Sequence, residues 1–413
     1  MKAGRLKQVT RMSKLLLTVD HQFVRTPDGK VWVKTIYGYD FWTRYLEVFD
    51  EVRIAARVRE VPEIHEKMLL ASGDRVEFFP LPQYRGTKEF VLRYFAIRKA
   101  VAKVADGCSC AIFRIPSPIA NLVQRQVIKA KLPWATEIVN DPWDNFAPGA
   151  FKSLLRPIYR WYFTRQLKNY ALQANGVSYV TKFALQERYP SYARLHGEDE
   201  RHFESYYSSI ILKKDYFWED RQFPKDKSEY TIVHVNSCIT DFSKGHDVVI
   251  RVVKELRDQG FPVRAKFIGD GPKRQFFEEY ARKLGVGDYV DFTGLLSSAA
   301  EVREELINSD ILIFPTIGEG LPRTVIEAMA VGLPCLSTAV NGIPELLNEE
   351  FLVGQQDVKT FASKTIEILS DEKKYFEASK KNIQKSKEYE YTILGGKKIR
   401  FYQHLLSQMD ITT

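Results

Sequence analysis

An α/β architecture with two doubly wound parallel sheets is what this sequence predicts, and three observations carry the prediction. The chain has 413 residues, well past the ~250 to 300 at which a single core stops growing, so two domains are expected. Short apolar runs alternate with helical patterns through both halves, as strands joined by crossover helices do. Residues 311–347 read in turn as strand, loop, helix, strand, loop and helix, with glycines and prolines at the junctions.

Residues 14–19 form the first expected strand, and Asp20 and His21 sit just beyond it, where open α/β sheets bind ligands. Thr26-Pro27-Asp28-Gly29-Lys30 supplies turn residues. A helix is expected over 42–49, strands over 52–58 and 76–81, and a helix over 89–105. The strand 111–115 ends near Arg114, and the strand 134–139 leads into Asn140-Asp141-Pro142-Trp143-Asp144. A helix-rich stretch follows in which Pro157 interrupts any single helix, then a strand over 176–180. Residues 213–228 are polar, charged and without period, which marks a domain boundary.

The second half opens with a strand over 230–236, Lys244-Gly245 and a helix over 247–258. Strands over 265–269 and 289–294 follow, the latter ending at Gly294 where it could face a nucleobase. Ile311 to Phe314 are four consecutive large apolar residues, which suits a strand covered on both faces. Pro322 suits the first helical position, 324–331 run helically, and Gly332 with Pro334 ends the helix. Residues 336–340 read as a strand and Asn341-Gly342-Ile343-Pro344 as a turn opening another helix at Glu345. Helices over 357–370, 372–388 and 392–409 close the chain, with Gly395-Gly396 expected to delay the start of the last.

Hydrophobic residues at 45% and charged residues at 27% describe a globular chain with ample core. Apolar runs fall far short of the ~18 residues that span a bilayer, and no signal-peptide core is evident, so a cytoplasmic protein is expected. Of four cysteines, Cys108 and Cys110 form an isolated C-x-C without a second pair at zinc spacing, and all four read as reduced and structural. The net charge of +9 is concentrated in patches. Lys2, Arg5, Lys7, Arg11 and Lys14 precede the first acid, Asp20. Lys152, Arg156, Arg160, Arg165, Lys168 and Lys182 lie between Asp144 and Glu187 with no acid among them. No nucleic-acid module accompanies this charge, so nucleic acid is not expected as a partner. The basics of 151–170 are interleaved with Leu154, Leu155, Ile158, Trp161, Tyr162 and Phe163, which fits either an anionic membrane surface or a solvated face over a packed one.

Glu319 precedes the helix that opens at Pro322, and Glu327 lies on its second turn, up to ~12 Å away at ~1.5 Å per residue. Between them, the free N–H groups at Gly320, Leu321 and Arg323 and the positive end of the helix dipole favour a diphosphate. A nucleotide sugar fits this spacing, one carboxylate meeting sugar hydroxyls and the other the ribose. Asp141 could hold a sugar hydroxyl or simply form a turn. Arg114 could meet an acceptor phosphate or a neighbouring carboxylate.

GEGLPRTVIEAMAVGLP, with Glu319-x7-Glu327, resembles the signature of the family 4 glycosyltransferases, retaining enzymes of the GT-B fold and of the bacterial polysaccharide-biosynthesis kind. That resemblance implies two Rossmann-like domains facing a central cleft: an acceptor-binding domain over 1–215, a donor-binding domain over 216–390, and a terminal helix over 391–413 crossing back. It implies a nucleotide-diphosphate sugar as co-substrate and a saccharide or lipid-linked acceptor. Lys244, Glu319 and Asp141 are then the catalytic candidates. Glu327, Arg323, Gly320, Leu321, Gly245 and Gly294 would bind the donor, and Asp20, His21 and Arg114 the acceptor. The family's Arg beside Lys244 is replaced by Ser237-Cys238-Ile239, and Arg323 is expected to take its place. The family's loop His is replaced by Asn140-Asp141-Pro142, and its Gly-Gly pair near Thr26 is absent. No Asp-x-Asp motif occurs, so neither a metal nor another cofactor is expected, cationic side chains serving instead. A sugar-nucleotide epimerase on the same fold and an inactive glycan-binding subunit are the alternatives. The expected location is the cytoplasm, at the inner face of the plasma membrane if the basic patches touch lipid.

Overall fold

The computed structural model describes residues 12–64, 68–148, 153–225 and 227–409. Lys2, Arg5, Lys7 and Arg11 of the first basic patch, with Phe151 and Lys152 of the second, lie outside the described residues.

The first domain carries a nine-stranded sheet. Its strands are β1 (Lys14–Arg25), β2 (Val31–Val33), β3 (Glu51–Glu60), β4 (Leu69–Leu70), β5 (Val76–Leu81), β6 (Cys110–Ile115), β7 (Trp134–Ile138), β8 (Gly176–Tyr179) and β9 (Phe203–Tyr206). Seven run parallel in the order β5-β3-β1-β6-β7-β8-β9. Leu15, Leu16 and Leu17 are all fully buried because helices cover both faces of β1. One face carries α1 (Tyr39–Leu46), whose Phe41, Trp42 and Tyr45 are buried. The other carries α2 (Gly86–Ala100), α3 (Pro118–Lys129) and, beyond the short α4 (Pro142–Asn145), α5 (Arg156–Gln173). Two more short helices, α6 (Ala184–Arg188) and α7 (Tyr192–His196), precede β9.

Three local expectations need correction here. β1 does not stop at residue 19: between Thr18 and Gln22 it slips register against β3, and it continues to Arg25, where β2 pairs antiparallel with it and β4 antiparallel with β2. Asp20 and His21 therefore stand at an irregularity inside the strand. Pro157 does not interrupt α5 but occupies its first turn, where the missing N–H leaves no helical bond unmade.

The second domain is a wholly parallel six-stranded sheet in the order β12-β11-β10-β13-β14-β15. Its strands are β10 (Tyr230–Cys238), β11 (Val263–Asp270), β12 (Val290–Gly294), β13 (Ile311–Phe314), β14 (Cys335–Thr338) and β15 (Leu352–Val353). They alternate with α8 (His246–Asp258), α9 (Arg274–Lys283), α10 (Ala299–Ile307) and α11 (Arg323–Ala330), and α12 (Val358–Ser370) and α13 (Glu372–Ser386) follow. The helix expected at Glu345 is only a single 3-10 turn over Ile343–Glu345.

The polar segment 213–228 is not a free linker. Arg221 is buried and donates to the carbonyls of Val331 (2.9 Å), Ser309 (2.8 Å) and Leu306 (2.9 Å), so the chain is docked on the second domain before β10 begins. The last helix, α14 (Tyr391–Ser407), returns to the first domain, where Tyr402 donates to Glu137 at 2.8 Å and Phe401 packs on Phe203. Gly395 and Gly396 lie within α14 and do not delay it, because Glu390 caps its N-terminus. The outgoing and returning passages touch: Tyr391 N donates to Leu212 O at 2.7 Å.

Candidate functional site

Strand order in the second sheet reverses at β10, with β11 and β12 on one side and β13 to β15 on the other. Loops leaving β10 and β13 diverge at that point and open a crevice at the carboxyl ends of the strands. Hydrogen bonds then tie the two loops to each other. Ile317 N donates to Ser243 O at 2.8 Å, and the Thr316 hydroxyl donates to the same carbonyl at 3.1 Å. Gly245 stands in the left-handed region at φ 75°, and a Cβ there would lie 2.3 Å from Pro315 O, so this close approach admits only glycine. The result is that Lys244 Nζ lies 3.1 Å from Glu319 Oε1 and donates to Gly318 O at 2.9 Å.

Beside this pair α11 begins. Pro322 caps it and Arg323 is its first residue, exposed and without a hydrogen bond or ion pair among the described residues. Glu327, one turn on, has its carboxyl pushed up by burial, with the Arg323 charge opposing. The Tyr216 hydroxyl is buried without a hydrogen-bond partner, and burial together with the nearby Glu327 pushes its phenol up. Tyr216 carries no sequence signal for this position, because it arrives from the docked segment 213–228. Leu321 is buried, and Gly294 ends the edge strand β12, opposite Ile268 and Gly269 of β11.

Loops at the carboxyl end of the first sheet close over this crevice. A Cβ built at Gly320 would lie 3.1 Å from Val139 O and 3.2 Å from a Val180 methyl, so the loop before α11 is in contact with the ends of β7 and β8. Asn341, at φ 47°, donates to Asp141 Oδ2 at 2.9 Å across the cleft, and its own Oδ1 is buried and unpartnered. The Glu345 carboxylate accepts from three successive backbone N–H groups of the first domain: Lys182 at 2.6 Å, Phe183 at 2.9 Å and Ala184 at 2.8 Å. Sequence reading found the Asn341-Gly342 turn but not these contacts, since their partners lie far off in the chain.

Several predicted residues are committed elsewhere. Asp141 caps α4 through Trp143 N (2.9 Å) and accepts from the Tyr189 hydroxyl, Arg188 and Asn341. Four donors fill its two oxygens, so it joins the domains rather than offering a free acceptor. Arg114 is paired with Glu137 in the interior of the first sheet and is not presented as a free cation. Asp20 is bonded to Arg57 (2.9 Å) and Tyr84 (3.2 Å), and burial pushes its carboxyl up. His21 meets Thr35 at 3.1 Å and packs between Phe23 and Tyr37, burial lowering its pKa, so its imidazole is neutral at neutral pH. Beneath Lys244, His234 and His246 meet edge to face with centroids 4.5 Å apart in the core, with burial pushing His234 down to about 4 and His246 lower still. All four cysteines are free, Cys108, Cys110 and Cys335 buried and Cys238 exposed.

Comparison with known proteins gives this geometry a family context. Residues 217–387 match the family described as glycosyl transferases group 1. The chain is 27% identical over 329 residues to the protein CapJ of Staphylococcus aureus, a match spanning 78% of each chain. It is 32% identical over 130 residues to the putative colanic acid biosynthesis glycosyltransferase WcaL of Escherichia coli K12, covering 29% of this chain and 32% of WcaL. Among solved structures, HepE of Anabaena in complex with UDP-glucose superposes with a TM-score of 0.64 at 13% identity, over 94% of this chain and 98% of HepE. The fold is GT-B. Residues 217–387 are thus similar to group 1 glycosyl transferases, and one relative over part of that length is named for colanic acid biosynthesis.

Proposed function

We propose that this protein transfers a sugar from a nucleotide-diphosphate sugar to a saccharide or lipid-linked acceptor, with retention of configuration. The observation that carries this reading is the meeting of Lys244, Glu319 and the start of α11 in one crevice at the strand-order switch. Negative charge grows on the diphosphate as it leaves the sugar. Lys244 and the free N–H groups of the first turn of α11 stabilise that charge, and Arg323 adds a two-pronged donor. In the free chain Glu319 holds Lys244. When phosphate takes Lys244, the Glu319 carboxylate is released to accept from sugar hydroxyls, while Glu327 and the orphaned Tyr216 hydroxyl receive the ribose. The acceptor attacks from the face the diphosphate leaves. The UDP-glucose complex of HepE supports a nucleotide-sugar donor. An epimerase fits less well, since the imidazoles nearest Lys244 are buried and neutral.

The same reading places the first domain on an anionic membrane surface. Along α5 and the residues before it, Leu154, Leu155, Ile158 and Trp161 are exposed beside Arg156, Arg160, Arg165 and Lys168. On α2, which packs on the same face of the sheet, Val91, Leu92 and Phe95 are exposed beside Arg93 and Arg98. Apolar side chains that reach water between cations suit the boundary of an anionic bilayer, each cation contributing ~1 kcal/mol there. No helix among the described residues is long and apolar enough to cross a membrane.

Thermal shift with a panel of nucleotide diphosphates and nucleotide sugars tests the donor reading, because a ligand of the folded state raises its stability. At least one nucleotide should raise Tm, and release of nucleotide from its sugar should follow. Glu319→Ala should lower turnover, and Glu327→Ala should weaken nucleotide binding. No shift with any nucleotide, or both variants matching the parent, would sink the proposal.

A further inference from the structure

Three cations converge on one carboxylate where the first sheet meets α1 and the returning α14. Glu137 of β7 accepts from Arg114 and from the hydroxyls of Tyr45 (3.0 Å), Tyr207 (3.2 Å) and Tyr402 (2.8 Å). Four donors occupy its two oxygens, so no further cation can be served by it. Yet Arg44 of α1 lies over the same Phe41 ring as Arg114, their guanidinium carbons 4.1 and 5.1 Å from its centroid. Lys398 of α14 comes within 5.7 Å of the Tyr207 ring. Neither Arg44 nor Lys398 makes a hydrogen bond or ion pair among the described residues. Lys398 is only 5% exposed, and Arg114 Nε is buried without a partner. Like charges held together away from water repel strongly unless an anion lies between them.

These three side chains line a small pocket that opens to solvent. Val139 and Val180 form part of its wall, and the same two residues touch Gly320 across the cleft. The pocket therefore stands at the carboxyl ends of β7 and β8, beside the loop that carries Glu319.

We propose that Arg44 and Lys398, beside the Arg114–Glu137 pair, form an anion site that takes a phosphate or carboxylate group carried by the acceptor. Its assignment to the acceptor rests on the transferase reading; the anion chemistry rests on the cluster alone. The site adds a charge that depends on pH. Facing Lys398 are Arg44 of α1 and Glu47 just beyond it, Arg114 of β6, Glu137 of β7, Tyr207 beyond β9 and Tyr402 on its own helix. Burial, then the Arg44 charge, pushes Lys398 down to about 7. Guanidinium groups stay charged, Glu137 is held ionised by Arg114, and the tyrosines are pushed up, so Lys398 is the group that changes charge near neutrality. An anion bound there draws a proton onto Lys398 and binds more tightly as pH falls.

The full-length protein is titrated with sodium sulfate and with a sugar 1-phosphate, read by thermal shift against chloride at matched ionic strength. Each titration is repeated with saturating nucleotide diphosphate to fill the donor site. We expect a saturable rise in Tm that survives the nucleotide and the Lys244→Ala change. In Lys398→Met and Arg44→Gln the half-saturating concentration should rise at least about ten-fold, as loss of a charge-assisted bond implies. Sulfate should bind the parent more tightly as pH falls from about 8 to about 6, and Lys398→Met should lose that dependence. A merely structural role for the cluster would lower Tm in the variants without moving the sulfate response. Should Lys398→Met fail to fold, Arg44→Gln still decides. No saturable rise in the parent, or an unchanged response in the folded variants, overturns the site. A sugar phosphate no tighter than sulfate overturns its assignment to the acceptor. Absence of any nucleotide shift, with the sulfate response intact, strikes the transferase reading instead.

Discussion

In the second domain the groups that meet at the cleft come from two neighbouring loops, Lys244 reaching Gly318 across 74 positions of chain. In the first domain the polar cluster is gathered from α1, β6, β7, the end of β9 and α14, with Tyr402 reaching Glu137 across 265 positions. One site is a local motif borne by a single sheet's switch point; the other exists only once the last helix has crossed back. Substitution at Lys244 should therefore act on chemistry, and substitution in the Arg114–Glu137 pair on folding.

The largest effect should break that contrast or establish it. Arg114→Ala leaves the Glu137 charge buried with hydroxyls alone, and loss of one partner of a buried pair costs ~3 to 5 kcal/mol of stability. Chemical denaturation measures this, and a loss below ~1 kcal/mol would show that water reaches Glu137. Next, Lys244→Ala should lower turnover by ~10² to 10³, equivalent to ~2.7 to 4 kcal/mol on the barrier, with little change in denaturation midpoint. Equal damage to stability and rate would erase the distinction between the domains.

A third test uses acid. His234, held near 4, stays neutral while an unfolded histidine takes up a proton below ~6.5. The unfolded state then binds more protons, so stability falls as pH drops from ~6.5 towards ~4, by ~3 kcal/mol for this group. His246→Phe should flatten that fall, because the ring sits among Phe267 and Phe277 and one of the two buried imidazoles is removed. Glu137 contributes in the same direction but lower, its carboxyl being held down until more acid conditions. The smallest effect belongs to Arg323→Ala, about ten-fold in kcat/KM from one lost charge-assisted contact, and no loss of stability from an exposed side chain. Unchanged kinetics would leave Lys244 alone on the diphosphate.

This contrast also explains how far the sequence could be read. The strand over Ile311–Phe314 and the helix after it were legible because apolar run, glycines and proline lie within one short stretch. Lys244 and Glu319 were legible for the same reason, their loops being tied at the switch point. Asp141 and Arg114 were named, but their partners Asn341 and Glu137 were not, since only the folded chain brings them together. Lys398 was not singled out, since only the folded chain brings it beside Arg44 and Arg114. The extension of β1 past Thr18 was hidden by Asp20 and His21, polar residues in what is nonetheless strand, held there by Arg57 and by the Tyr37 and Phe23 rings.

The contact between Tyr391 N and Leu212 O sets outgoing and returning passages side by side. Two connections at one place give the molecule redundancy of attachment: severing one leaves the other intact. A protease cut between Arg221 and Tyr230 would produce two fragments, the C-terminal one still held on the first domain by α14 through Tyr402 and Phe401. Arg221 would stay anchored on the carbonyls of Leu306, Ser309 and Val331. The nicked protein would elute as one body and come apart only under denaturant, as two halves of a chain that each hold a piece of the other.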